Sequence, residues 1–323
     1  MLTTLRTQPQ TRPPFCHNNY ERVDKLKILD DISYFETDPD EILIFGKELI
    51  ESAKELNSIK YVFNGYQQIG NAYRLKSDYT KALENYFKAL EIVFNNKIEN
   101  PNYKIAVTEI SIGDVYSIMG DSKNAVNYYI KSISLLKEDL ELNSREIATA
   151  QSNLGDEYLN QKELDSAFYY FQESNKLSKL AEYEIGEAYS LGNLGLVHAE
   201  KGENEKAEKK LHQAIQALEK LEDYYPICVY LNAMSDVYLD KKQDAKALRY
   251  AKRSLALAKK YGLKEQIGDG YLKISNIYEN ENLFKKSLDQ FKKHITYKDS
   301  INNSESLKEL ELTRKEKEKA VAI

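Results

Sequence analysis

The sequence has no tryptophan, only two cysteines, six prolines and four histidines in 323 residues. Each scarcity excludes something. Cys16 and Cys228 stand alone and far apart, so they form neither a disulfide framework nor a zinc-ligand cluster, and a reducing, cytoplasmic compartment is expected. Pro9, Pro13 and Pro14 all fall before residue 20, which leaves the rest of the chain nearly free of helix breakers. No apolar run approaches the roughly 20 residues of a membrane span. The opening MLTTLRTQPQ is polar and holds no secretion-signal core, so no membrane partner is expected. With 46 basic against 51 acidic residues and a net charge of −5, the chain lacks the basic footprint of a nucleic-acid binder. None of the His-Glu-x-x-His, Cys-x-x-Cys or Gly-x-Ser-x-Gly patterns occurs. No catalytic, cofactor-binding or metal-ligating residue set is therefore expected, and the chain reads as a non-enzyme.

What is present is a repeat. In Ser152–Ser174, Leu154-Gly155 is followed by Tyr158, Ala167, Phe171 and Ser174. The same frame appears as Ile69-Gly70, Tyr73, Ala82, Tyr86, Ala89, as Ile112-Gly113, Tyr116, Ala125, Tyr129, Ser132, and as Leu194-Gly195, His198, Ala207, Leu211, Ala214. Weaker copies are Met234-Ser235, Tyr238, Ala247, Ala251, Ser254 and Ile274-Ser275, Tyr278, Ser287, Phe291, His294. The glycine-equivalent positions 70, 113, 155, 195, 235 and 275 step by 43, 42, 40, 40 and 40. Spacings of three and four place each apolar set on one helical stripe, and polar runs such as Gly120–Lys123 separate the two stripes of a copy. Each copy is thus an antiparallel helix pair, with glycine allowing close approach and the aromatic filling the gap. One pair cannot bury its face alone; stacked pairs can. Within this frame His198 and His294 replace packing residues, His212 neighbours the frame aromatic, and Gly192-Asn193-Leu194-Gly195 falls mid-helix rather than in a phosphate loop.

The Leu-Gly-x-x-Tyr and Ala-x-x-x-Tyr/Phe-x-x-Ala/Ser elements resemble the tetratricopeptide repeat (TPR) family over about residues 22–299, without that family's usual tryptophan and closing proline. A step of 40 rather than the usual ~34 resembles the longer-helix subclass of kinesin light chains, Pins-type adaptors and bacterial signalling proteins. The resemblance implies an all-α, right-handed α-solenoid of about seven antiparallel helix pairs, with a C-terminal helix. It also implies a non-enzymatic scaffold whose concave face, lined by the first helices, holds a protein or peptide segment. The residues flanking each Leu-Gly are then the candidate contacts: Gln68, Asn71, Arg74, Asp114, Asn153, Asp156, Asn193, Asp236 and Asn276, with Ser111 beside them and Leu196 the apolar exception. Asparagine can both donate to and accept from an extended backbone. Arg74 and Lys273 are nearly the only cations in these rows, and the aspartates would repel a carboxylate, so a neutral or basic partner is expected rather than an acidic C-terminus.

Along the chain, residues 1–20 read as a disordered arm, 21–299 as the array and 300–323 as a charged capping or connector helix. The first pair, 22–57, lacks the frame, as a terminal capping unit does; Asp38-Pro39-Asp40-Glu41 is read as a helix start with Asp38 at the N-cap and Glu41 closing a capping box. Asn95–Tyr103 and Glu138–Arg145 lengthen two connections. Leu307, Leu310 and Val321 give a weak coiled-coil seam. That last segment resembles the connector following TPR arrays in bacterial histidine kinases and nucleotidyl cyclases. The alternative function is accordingly the sensory input part of such a protein; a third is a regulator that binds a small signalling peptide. A homodimer through a terminal repeat or the last helix is a further expectation.

Overall fold

The computed structural model describes residues 19–299, with side chains over 24–298. The expected N-terminal arm, apart from Asn19 and Tyr20, which belong to a helix, and the 300–323 segment, with its connector and coiled-coil readings, lie outside the described residues. Among the described residues there are fourteen α-helices and no strand. They are α1 (Asn19–Phe35), α2 (Pro39–Glu55), α3 (Ile59–Leu75), α4 (Tyr79–Asn95), α5 (Pro101–Ile118), α6 (Ser122–Leu136) and α7 (Ser144–Asn160). There follow α8 (Leu164–Leu180), α9 (Glu184–Glu200), α10 (Asn204–Lys220), α11 (Tyr224–Asp240), α12 (Asp244–Lys260), α13 (Lys264–Asn280) and α14 (Phe284–Asp299). These make the seven expected pairs.

The 40-residue step has a simple origin. From α7 to α13 every helix has 17 residues and every connection three, so two helices and two turns complete one step. The longer steps come from Asn96–Asn100 before α5 and from a 3₁₀ turn, Lys137–Asp139, before α7. Each three-residue turn after α2 closes with the 6→1 bond of a Schellman motif, whereas Glu36–Asp38 does not. After α7, for example, Lys162 N–H donates to the Leu159 carbonyl (3.0 Å) and Glu163 N–H to the Tyr158 carbonyl (2.9 Å). The middle turn residue is left-handed. It is glycine at 120, 202 and 262, but Asn57, Ser77, Lys162, Glu182, Glu222, Lys242 or Asn282 elsewhere. A side chain costs about 1–2 kcal/mol in that conformation, partly offset by the greater freedom glycine loses on folding. Lys242→Gly should therefore raise stability by roughly 0.5–1 kcal/mol, read as a higher midpoint in thermal denaturation.

At α2 the start residues are as expected but the cap differs. Asp38 Oδ1 accepts from Asp40 N–H (2.9 Å). The reciprocal bond to the Asp38 N–H comes from Glu36 Oε1 (3.0 Å), which also takes the Thr37 N–H (2.7 Å). The acid that closes the box thus precedes the helix; it is not Glu41.

The chain divides between Tyr128 and Tyr129, inside α6. In the first unit, Leu26, Leu29, Leu49, Ala53 and Val62 form one buried cluster, and Ala82, Tyr86, Leu90, Ile112 and Val115 another. In the second, one core runs from Ala188 through α10, α11 and α12 to Ile277. The frame behaves as its residue sizes require. A Cβ on Gly70 would lie 2.5 Å from the Tyr86 ring, and one on Gly155 2.6 Å from Phe171, so the second-helix aromatic sits directly on the first-helix backbone. Both rings are fully buried, each contributing about 1.5–3 kcal/mol by leaving water. Where serine replaces glycine, its hydroxyl bonds across the pair instead: Ser235 to the Ala247 carbonyl (3.0 Å) and Ser275 to the Ser287 carbonyl (2.9 Å). Three of the five frame tyrosines stack on a second-helix tyrosine twelve residues on: Tyr116 on Tyr128, Tyr158 on Tyr170, Tyr238 on Tyr250. His198 fills the tyrosine position against Phe168 and bonds Glu203 (2.6 Å), and buried His294 bonds the Gly268 carbonyl (2.8 Å), the packing roles expected of both.

Candidate binding groove

Within each unit the first helices of successive pairs lie side by side, α3 against α5 in the first and α7, α9, α11 and α13 in order in the second. The residues flanking each Leu-Gly therefore share a face.

In the first unit Gln68, Asn71 and Arg74 follow one another at intervals of three along α3, and all are half-buried. Asn71 Nδ2 donates to Gln68 Oε1 (3.2 Å), while Asn71 Oδ1 accepts from the buried Tyr86 hydroxyl (2.7 Å). Burial pushes the Tyr86 phenol up to about 12, against the pull of Arg74, with Asp114 and Ser111 also close to it. Arg74 Nε is buried without a hydrogen-bond acceptor. The structure thus gathers Gln68, Asn71, Arg74, Ser111 and Asp114 around one phenol.

In the second unit the row is built around Asn193, which is 5% exposed. Its Nδ2 donates to Asp156 Oδ1 (3.0 Å) and its Oδ1 accepts from the Tyr230 hydroxyl (2.8 Å), which also reaches the Tyr189 carbonyl (3.1 Å). Asn193 therefore pins α9 to both neighbouring first helices. Asp156 has an amide for a partner and a like charge, Glu157, beside it; desolvation foremost, then Glu157, pushes its carboxyl up to about 7. Asp236 accepts two bonds from Lys273 Nζ (2.6 and 2.7 Å). Asn276 is exposed. These partners set how much charge each aspartate presents. The Asp156 charge is only partly present at neutral pH, Asp236 is paired, and Lys273 is already engaged, so the floor is less negative than a count of aspartates implies.

Two cavities open beside this row. The larger, about 550 Å³, lies across the C-terminal ends of α7 and α9 and along α11 from Val229 to Asp240, where Leu196, Val229 and Ala233 meet Asn232, Asp236 and Asp240. The smaller, about 180 Å³, lies between the N-terminal halves of α7 and α9 over α8, with Asn153 on its wall. Asn153, Asp236 and Leu196 thus line cavities, whereas Asn71 and Asn193 serve the internal network. Sequence reasoning missed Tyr230 and Ser178. A signal for Tyr230 existed: it occupies a position held by Gly65, Thr108, Ala150, Ser190 and Gly270 in other copies, and Gly192 lies across from it.

A run of helix pairs that presents first-helix side chains and clefts on one shared face defines a helical-repeat protein. The sequence model of the tetratricopeptide repeat matches residues 61–138, 104–179 and 185–260, and the chain belongs to that family. It is 26% identical over 137 residues to Regulatory protein RapG of Bacillus subtilis (strain 168), a match covering 42% of this chain and 37% of RapG. The chain thus spans little more than a third of that relative's length. Among solved structures it is similar to the Rap conjugation gene regulator of plasmid pLS20 in complex with the Phr* peptide (TM-score 0.61, 18% identity, 94% of this chain and 91% of that one). It is likewise similar to Aspartyl phosphate phosphatase F from Bacillus subtilis (TM-score 0.58, 14% identity, 94% and 81%). At these identities the structural likeness concerns the fold. No described helix is long and apolar enough to cross a membrane.

Proposed function

We propose that the chain is a peptide-binding regulator that holds an extended, neutral or basic segment along its first helices and carries out no chemistry of its own. The observation that supports this most is the second-unit face, where two open cavities flank a row of amide and carboxylate groups fixed by Asn193 and Tyr230. A pre-ordered polar row reduces the entropy lost on binding, and side-chain cavities at intervals suit a segment held by its backbone. Among the similar structures, the pLS20 regulator is described in complex with a peptide, which favours a signalling peptide over a large protein surface. Another is named a phosphatase; at 14% identity that likeness concerns the fold and brings no reaction to this chain.

Asn153→Ala and Asp236→Ala are the informative variants, because both side chains line cavities, whereas removing Asn193 would disturb packing. Against a synthetic pentapeptide library, each should weaken the binding of selected peptides about fivefold or more, the worth of one or two lost hydrogen bonds, with the melting temperature held within a degree or two. Unchanged affinity in both variants would remove the groove from the account.

A further inference from the structure

The smaller cavity of the second unit has a chemistry of its own. Its walls are Tyr183, Ile185, Gly186 and Tyr189, with Asn153 at one side and Ser178 at the floor, and no charged side chain lines it. Ser178 is fully buried, and its hydroxyl has no hydrogen-bond partner. A serine inside a helix ordinarily bonds back to the carbonyl four residues earlier, and a buried hydroxyl left unpaired is costly. The residue packed directly against it is a glycine. A Cβ on Gly186 would lie 2.6 Å from Ser178 Oγ and 2.4 Å from Tyr183 Cδ1. Tyr183 is itself held in place by the Arg145 guanidinium, 4.5 Å from its ring centroid. A volume of about 180 Å³ accommodates one medium or large side chain, not a peptide backbone.

We propose that this cavity is a specificity subsite that takes one uncharged side chain ending in a hydroxyl or carboxamide, whose tip bonds to the Ser178 hydroxyl. Its role in holding a segment rests on the groove reading above; its chemistry does not. The absence of charge on the walls disfavours a lysine, arginine or carboxylate tip, which would lose its hydration with nothing to replace it. The tyrosine and isoleucine walls favour a side chain with an apolar body, such as tyrosine or glutamine.

The first test needs no peptide. Phenol and toluene are titrated separately into the full chain carrying ¹³C-labelled isoleucine methyls, with Ile185 as the reporter. Phenol should shift the Ile185 methyl at several-fold lower concentration than toluene, and Ser178→Ala, which removes the hydroxyl and fills no space, should abolish that difference. Failure of phenol to move Ile185, or a difference that survives Ser178→Ala, overturns the proposal. The second test is a position-scanned pentapeptide library. One position should prefer tyrosine to phenylalanine and glutamine to methionine by about fivefold to tenfold, the range of one hydrogen bond, and Ser178→Ala should erase the preference. A library that binds without it overturns the subsite alone. A library that does not bind, with phenol still seated, overturns the groove reading and leaves the pocket.

Discussion

Asparagine in place of Asp156 is expected to stabilise the fold by about 2–4 kcal/mol at pH 8 and by less than about 1 kcal/mol at pH 4. The Asp156 carboxyl is pushed from its ordinary 3.8 to about 7, mainly by desolvation. The folded chain therefore keeps a proton that the unfolded chain has released. Stability from this group is highest below the unfolded value, falls as pH rises from about 4 to about 7, and levels off above that. The full shift would correspond to roughly 4 kcal/mol, and the open cavities on either side of the row reduce it. Asparagine carries no charge at any pH and can still accept from Asn193 Nδ2, which now bonds Asp156 Oδ1 at 3.0 Å. Urea unfolding at pH 4 and pH 8 measures both effects. A variant less stable than the parent at pH 8 would mean that Asp156 is ionised at little cost.

The difference between what could and could not be read from the sequence is clear at this row. Periodicity gave seven helix pairs because a repeat writes each local rule many times: the glycine and the polar turn recur in every strong copy, and the facing aromatic in three of the four. The split within a step was not legible in the same way, since 17-residue helices with three-residue turns are one of several ways to make 40. What periodicity conceals is the exception. Asn153 and Asn193 occupy the same place in the frame, yet one lines a cavity and the other is buried, because only Asn193 faces a tyrosine from the next pair. Asp236 looked like a free negative charge until Lys273, one repeat further on, was placed beside it. At α2 the residue types were right and the bonding partner wrong, since a glutamate two residues before the cap reaches the same N–H as one three residues after it. The Asn193–Tyr230 and Asp236–Lys273 pairings join positions of different copies, and spacing within one copy carries no trace of them.

Two glycines in first helices should respond oppositely to alanine, and together they test this account of the packing. A Cβ on Gly192 would stand 2.1–2.6 Å from Cζ, Cε2 and the hydroxyl of Tyr230, a ring only 2% exposed and bonded through its tip to Asn193 and the Tyr189 carbonyl. The ring cannot withdraw without giving up those bonds, so Gly192→Ala should cost about 2–4 kcal/mol, overpacking plus a broken hydrogen bond. A Cβ on Gly268 would meet nothing nearer than 3.6 Å, from Tyr297 Cβ, with His294 Nδ1 at 3.7 Å. Gly268→Ala should therefore gain about 0.5–1 kcal/mol from helix propensity alone. Tyr230→Ser places at that position the residue that Ser190 supplies one pair earlier, and by itself it leaves a cavity worth several kcal/mol. Combined with Gly192→Ala, the new methyl occupies part of that cavity, so the double variant should be more stable than the two single losses predict by at least about 1 kcal/mol. Strict additivity would show that Gly192 and Tyr230 do not share the space that the structure gives them.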